Sequence, residues 1–161
     1  MARPALAIAL VCVVTIASVW ALQHAGYAPC ELCLRERIPF YWGLPLALLV
    51  AAITARGRAG LLPAGYVALG LVFLAGAGLG IYHAGVEWGI WPGPSSCTGG
   101  LDHPAAVEDF LKQLKTTQVV RCDAPALQMA GLSLAAWNAV LCLALTAVAG
   151  FGFLRSDRQR G

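Results

Sequence analysis

Charge is scarce in this chain. Only 12% of its 161 residues are Asp, Glu, Lys or Arg, about half the roughly 25% usual in a soluble domain. So few charges cannot cover a protein folded in water. The net charge of +3 is too small to argue for a nucleic-acid partner. The chain also lacks a haem Cys-x-x-Cys-His, a dinucleotide fingerprint and an iron–sulfur cysteine run. Repeats and low-complexity tracts are missing too. What is abundant is apolar: 59% of residues, with a mean hydropathy of +0.72. The 18 glycines and 9 prolines would suggest disorder in a polar chain, but in an apolar one they suit membrane helices. Composition therefore predicts a membrane protein.

Four charge-free stretches, residues 4–30, 38–55, 59–86 and 124–154, are long enough to cross a bilayer, which takes about 20 apolar residues. The spans are placed at about 5–22, 37–55, 60–83 and 130–154, with loops at about 23–36 and 84–129. The first is read as a retained helix rather than a cleaved leader. Its apolar core exceeds a signal h-region, only Arg3 precedes it, and no clear Ala-x-Ala site follows. The predicted fold is an all-α membrane protein, a four-transmembrane-helix bundle forming a single domain.

Basic residues set the orientation. Arg3, Arg56, Arg58, Arg155, Arg158 and Arg160 lie at the termini and the short second loop, opposed only by Asp157, so that side nets +5. The other two loops hold five basic and seven acidic residues, netting −2. Both termini are expected in the cytoplasm and the other loops outside. In the large loop Val107, Phe110, Leu111 and Leu114 follow helical spacing after Asp102. They predict a short amphipathic helix on the membrane surface or against a soluble partner. Gly76 and Gly80 form a small-xxx-small pair suited to close helix packing. Pro45 interrupts the second span and would free the Tyr41 carbonyl.

The six cysteines fall into two classes. Cys12 and Cys142 lie mid-span, where a thiol behaves as a small apolar group. Cys30, Cys33, Cys97 and Cys122 all lie in the external loops. Four external cysteines admit a zinc site, inert bridges or a redox relay. A zinc knuckle usually brings two short pairs, and only one is present. Structural bridging accounts for Cys97 and Cys122, about 25 residues apart. It accounts poorly for Cys30-Glu31-Leu32-Cys33, because Cys-x-x-Cys closes too small a loop to stabilise much and is the usual redox dithiol. Pro29 suits the first turn of a helix, which would set Cys30 and Cys33 among free N–H groups that lower a thiol pKa. On that helix Arg37 would share the face of Cys33, while Glu36 would pair with Arg35 or solvent.

These features resemble the disulfide bond formation protein B family of bacterial inner-membrane thiol oxidases. The shared features are the four spans, Cys30-x-x-Cys33 followed by Leu34-Arg35-Glu36-Arg37, then Cys97, Cys122, Gly131-Leu132 and Trp137. The resemblance implies that Cys97 and Cys122 form a disulfide attacked, at Cys97, by a periplasmic DsbA-like thioredoxin-fold dithiol oxidase. Electrons would then reach Cys30–Cys33 through a transient Cys30–Cys122 bond and leave from Cys33 to ubiquinone or menaquinone. It further implies that Arg37 attends the quinone, and that Pro92-Gly93-Pro94 and Gly99-Gly100 act as hinges; His83 is read either as a quinone-side residue or as a hydrogen-bonded histidine of the bundle. Independently of the resemblance, a membrane-embedded dithiol with no cofactor motif needs a lipid-soluble two-electron acceptor. Glu31, between the two cysteines, would tend to raise their pKa. The rival readings are a quinone reductase like vitamin K epoxide reductase, whose dithiol lies late in the chain, and a membrane scaffold braced by disulfides.

Overall fold

A computed structural model describes residues 2–94, 97 and 120–158. Its order is α1 (Ala2–His24), α2 (Glu31–Arg35), α3 (Ile38–Ala55), a 3₁₀ turn (Ala59–Leu61), α4 (Leu62–Glu87), a hairpin of β1 (Gln128–Met129) and β2 (Leu132–Ser133), and α5 (Leu134–Asp157). Four of these helical segments are long and apolar enough to cross a membrane. The amphipathic helix expected around 102–115 lies outside the described residues, as do Gly99 and Gly100.

Three helices end by the same device. At Gly26, Gly57 and Gly89 the backbone turns to φ +97°, +68° and +69°. The glycine amide bonds three residues back and the next amide five residues back, as Gly26 to Gln23 and Tyr27 to Leu22. This Schellman closure satisfies carbonyls that the helix end leaves open, and the positive φ is why glycine occupies each position. α5 starts with its own cap, the Ser133 hydroxyl accepting the Ala136 N–H at 3.2 Å.

α4 packs most extensively on α5, and α1 on α3, with α3 against α4 joining the two pairs. Gly80 permits the first contact: a Cβ there would come within 2.8 Å of the Ala139 backbone nitrogen. Gly76 makes a similar approach to Cys142 and Pro39, so the small-residue pair works as helix-packing surface. The core between the pairs is built from Ile8, Cys12, Phe40, Val50, Tyr66, Leu69, Phe73, Cys142 and Leu145. Phe40 and Phe73 meet edge to face at 5.9 Å. The outer faces present Leu10, Val14, Leu49, Leu71, Leu143 and Phe151. Helices apolar on both faces make sense where the surroundings are lipid.

Three element ends depart from the sequence expectation. The loop before the second span contains α2, which passes into α3 through Glu36 and Arg37, both in right-handed helical conformation. α4 continues one turn past the expected end, to Glu87. The last helix begins at Leu134 rather than near 130, because Ala130 and Gly131 take φ +52° and +80° to turn the hairpin. Trp137 fastens that hairpin by donating its indole N–H to the Met129 carbonyl at 2.9 Å.

Candidate thiol-disulfide site

The site forms where α2 meets the end of α4. Proline at position 29 precedes a short helix whose N-cap is Cys30, in extended conformation at φ −76°, ψ 171°. In that position its Sγ accepts the Cys33 N–H at 3.2 Å, so one helix-end donor points at sulfur. The Cys30 and Cys33 sulfurs lie 2.7 Å apart as free cysteines. Cys30 is buried and Cys33 half-buried. The Cys33 thiol, hydrogen-bonded to Cys30, holds the Cys30 pKa down to about 4 against the opposing cost of burial. The contact with His83 and the Cys33 amide act in the same direction. A thiol so lowered is a thiolate at neutral pH and leaves or attacks as one.

Behind Cys30 stands a buried polar row. His83 Nε2 is 3.6 Å from Cys30 Sγ, and His83 Nδ1 is 2.8 Å from Glu36 Oε1. A carboxylate only accepts, so Nδ1 carries the hydrogen and Nε2 faces the sulfur. Glu87, one turn further along α4, brings Oε1 to 4.0 Å from the same Nε2. Glu36 therefore pairs with His83, not with Arg35 or solvent. Arg35 instead pairs with Glu31 at 3.1 Å, both exposed, so the acidic residue inside the motif is already engaged by a cation away from the sulfurs. Arg37 does not continue the helix of Cys33 as its spacing predicted. α2 ends at Arg35, Arg37 caps α3, and its Nη1 donates to Gln23 Oε1 at 2.9 Å.

The second cysteine pair lies alongside the first. Cys97 and Cys122 are joined by a disulfide with Cα atoms 5.4 Å apart. The Cys97 amide closes a turn onto the Pro94 carbonyl at 2.9 Å. The segment leading there is held to α4: Trp91 stacks on Tyr82 at 6.1 Å and donates to the Tyr82 carbonyl, while Tyr82 donates to the Pro92 carbonyl. Cys30, Cys97, Cys122, Leu32 and Val86 form one buried cluster, with Cys33 and Tyr82 packed against it. Beside it, Arg121 and Asp123 form an exposed bidentate pair.

Sequence reasoning missed Glu36, Glu87 and Gln23. Glu87 was open to discovery, being four residues from His83 on a helix. Glu36 and Gln23 reach their partners from other helices, and no spacing rule connects residues 47 or 14 apart.

A multi-span helical bundle with two adjoining cysteine pairs at one end defines a membrane protein built for thiol–disulfide chemistry. The family model for disulfide bond formation protein DsbB matches residues 2–152. The chain belongs to the DsbB family, and so to the disulfide-forming membrane proteins. It is similar to disulfide bond formation protein B of Cupriavidus metallidurans, at 30% identity over 93% of this chain and 92% of that protein. The namesake from Cupriavidus pinatubonensis is 28% identical over 83% of this chain and 80% of its own length. An uncharacterised Rickettsia prowazekii protein, RP370, is 26% identical over 74% of this chain and 67% of its own. No solved structure matches significantly.

Proposed function

We propose that this chain is a thiol:quinone oxidoreductase of the bacterial inner membrane. It reoxidises a periplasmic DsbA-like thioredoxin-fold dithiol oxidase and passes the electron pair to quinone, with both termini in the cytoplasm. The observation that carries this reading is the packing of both cysteine pairs in one buried cluster, where sulfur can pass to sulfur without crossing water.

The exchange balances as follows. A partner thiolate attacks Cys97, and Cys122 leaves as a thiolate. Cys122 attacks Cys30 of a Cys30–Cys33 disulfide and releases the Cys33 thiolate. The partner's second thiolate closes the partner's own disulfide and releases Cys97. Cys97 then attacks Cys122, restores the Cys97–Cys122 bond and frees Cys30. The resulting state, with Cys97–Cys122 bridged and Cys30 and Cys33 reduced, is the one the structure presents. The last exchange, in which Cys30 leaves, depends on the leaving thiol being acidic, which the Cys30 environment supplies.

The residues around Cys33 fit a quinone. Cys33 is the less buried of its pair, and exposed Trp20, Tyr27, Leu34, Ile38 and Tyr41 make an apolar aromatic border at this end of α1 and α3. Arg37 and Gln23 are joined by a hydrogen bond next to that border. A bound quinone supplies a two-electron, two-proton acceptor, with Cys33 and Arg37 holding it. His83 is paired to Glu36 and Cys30, so we assign it to holding the Cys30 proton rather than to the quinone alone.

The test is quinone reduction, followed by absorbance, on mixing purified protein with a reduced thioredoxin-fold dithiol and either ubiquinone or menaquinone. Turnover is expected in the parent and none in Cys33→Ala. Arg37→Ala should raise KM for quinone by about tenfold or more, the worth of one charged hydrogen bond. A folded parent that reduces neither quinone overturns the proposal in favour of a disulfide-braced scaffold.

A further inference from the structure

The row behind the dithiol has a second use. Cys30 Sγ, Cys33 Sγ and His83 Nε2 all lie within 4.8 Å of one another. Glu87 points at the same place: its side chain is 6% exposed, its Oε1 is 4.0 Å from His83 Nε2, and its Oε2 has no hydrogen-bond partner among the described residues. A buried carboxylate oxygen without a donor is costly unless something positive meets it. We propose that the reduced dithiol, His83 and Glu87 form a four-ligand site for a thiophilic divalent cation of the zinc type, open only when Cys30 and Cys33 are not bridged.

The geometry and chemistry of the donors support this. In a tetrahedral zinc site, Zn–S of about 2.3 Å and Zn–N of about 2.0 Å place sulfur and imidazole nitrogen about 3.5 Å apart. Cys30 Sγ and His83 Nε2 are already 3.6 Å apart. The two sulfurs must open from 2.7 Å to about 3.8 Å, and Cys33, the less buried of the pair, makes that move. Glu87, 4.0 Å from Nε2 but outside the 4.8 Å group of the other three donors, turns inward by about an ångström or more to complete the set. The outer shell is also in place. Glu36 accepts from Nδ1 at 2.8 Å and so leaves the Nε2 lone pair for the metal, the carboxylate–histidine arrangement that orients imidazole ligands. Cys30 at the N-cap of α2 and Cys33 one turn on provide the short chelate that metal-binding cysteines favour. Cation binding replaces the Cys33 thiol proton and the proton that His83 holds for Cys30, both of which pass to water, and leaves both sulfurs at the thiol oxidation level. The held sulfurs are not free to join, so the metal arrests the chain in its reduced state and a chelator releases it.

Metal occupancy is read without electron transfer, so its success or failure is separable from that of the quinone reading. Cobalt(II) titrated anaerobically into the reduced, detergent-solubilised full chain is expected to give one equivalent of thiolate-to-cobalt absorption with the visible bands of a tetrahedral ion. Zinc(II) should displace it. The same preparation with Cys30 and Cys33 oxidised, a control that needs no mutation, should show none. Glu36→Gln should weaken binding by roughly 10- to 100-fold and Glu87→Gln by at least as much, while Cys12→Ser and Cys142→Ser leave the bands in place. The proposal is overturned by absent bands in folded reduced protein, by equal bands in oxidised protein, or by a Glu87→Gln affinity equal to the parent's.

Discussion

Cys12 and Cys142 at mid-helix and Cys30, Cys97 and Cys122 at the bundle end are comparably buried, at 0% and at 1–5% exposure. Burial therefore does not separate them. The neighbours do. Cys12 sits among Ala5, Ile8 and core aliphatics, and the polar contact of Cys142 is Asn138 Oδ1, in its own helix at 3.7 Å. Cys30 has a backbone N–H, a second sulfur and an imidazole backed by a carboxylate. A thiol in an apolar shell is a small hydrophobe, and one ringed by donors is a nucleophile.

The largest test of this contrast is loss of turnover. Cys33→Ala should abolish thiol oxidation while the protein stays folded, whereas Cys12→Ala and Cys142→Ala should keep turnover and lower thermal stability by about 1–2 kcal/mol through the small cavity each leaves. Reduced-protein activity falling equally in all three would erase the distinction between the regions.

Next in size is the pH dependence of alkylation. With its pKa lowered to about 4, Cys30 is a thiolate above that pH and a thiol below it. Its reaction with iodoacetamide in reduced protein should hold steady from neutral pH downward and fall only as pH passes through about 4. Replacing His83 by Ala should move the midpoint upward, each unit corresponding to about tenfold less thiolate below the midpoint. An unmoved midpoint would remove His83 from the account of Cys30.

The smallest expected effect comes from the packing side. Gly80→Ala forces a methyl against the Ala139 backbone, so α4 and α5 must part. A loss of about 1–3 kcal/mol in detergent unfolding is expected, with Cys30 alkylation in the folded protein little changed. Tight coupling of the two readouts would show that the site depends on that seam as much as on its own hydrogen bonds.

The four spans, the two classes of cysteine and the close-packing glycines were legible because each is a local or compositional signal. A charge-free run reports its solvent, and Gly76 and Gly80 report a face through a four-residue spacing. Pro29 announced a helix at the dithiol, but that helix starts at Glu31 with Cys30 as its cap, so Pro29 precedes the first turn rather than lying in it. The hairpin at Ala130 and Gly131 was not legible, since an apolar run conceals a two-residue turn whose backbone angles its partner strand imposes.

By itself, the sequence determined that this is a membrane bundle and that four of its cysteines lie at one end. Hydrophobicity and chain connectivity require nothing more. Only the tertiary structure decided which charged groups surround those cysteines. Glu36 left Arg35 for His83, Arg37 turned to Gln23, and Glu87 came in beside the imidazole. The reason is physical. A buried carboxylate takes whichever donor the packing of α2 against α4 brings within hydrogen-bond distance, and that packing joins residues no linear spacing relates.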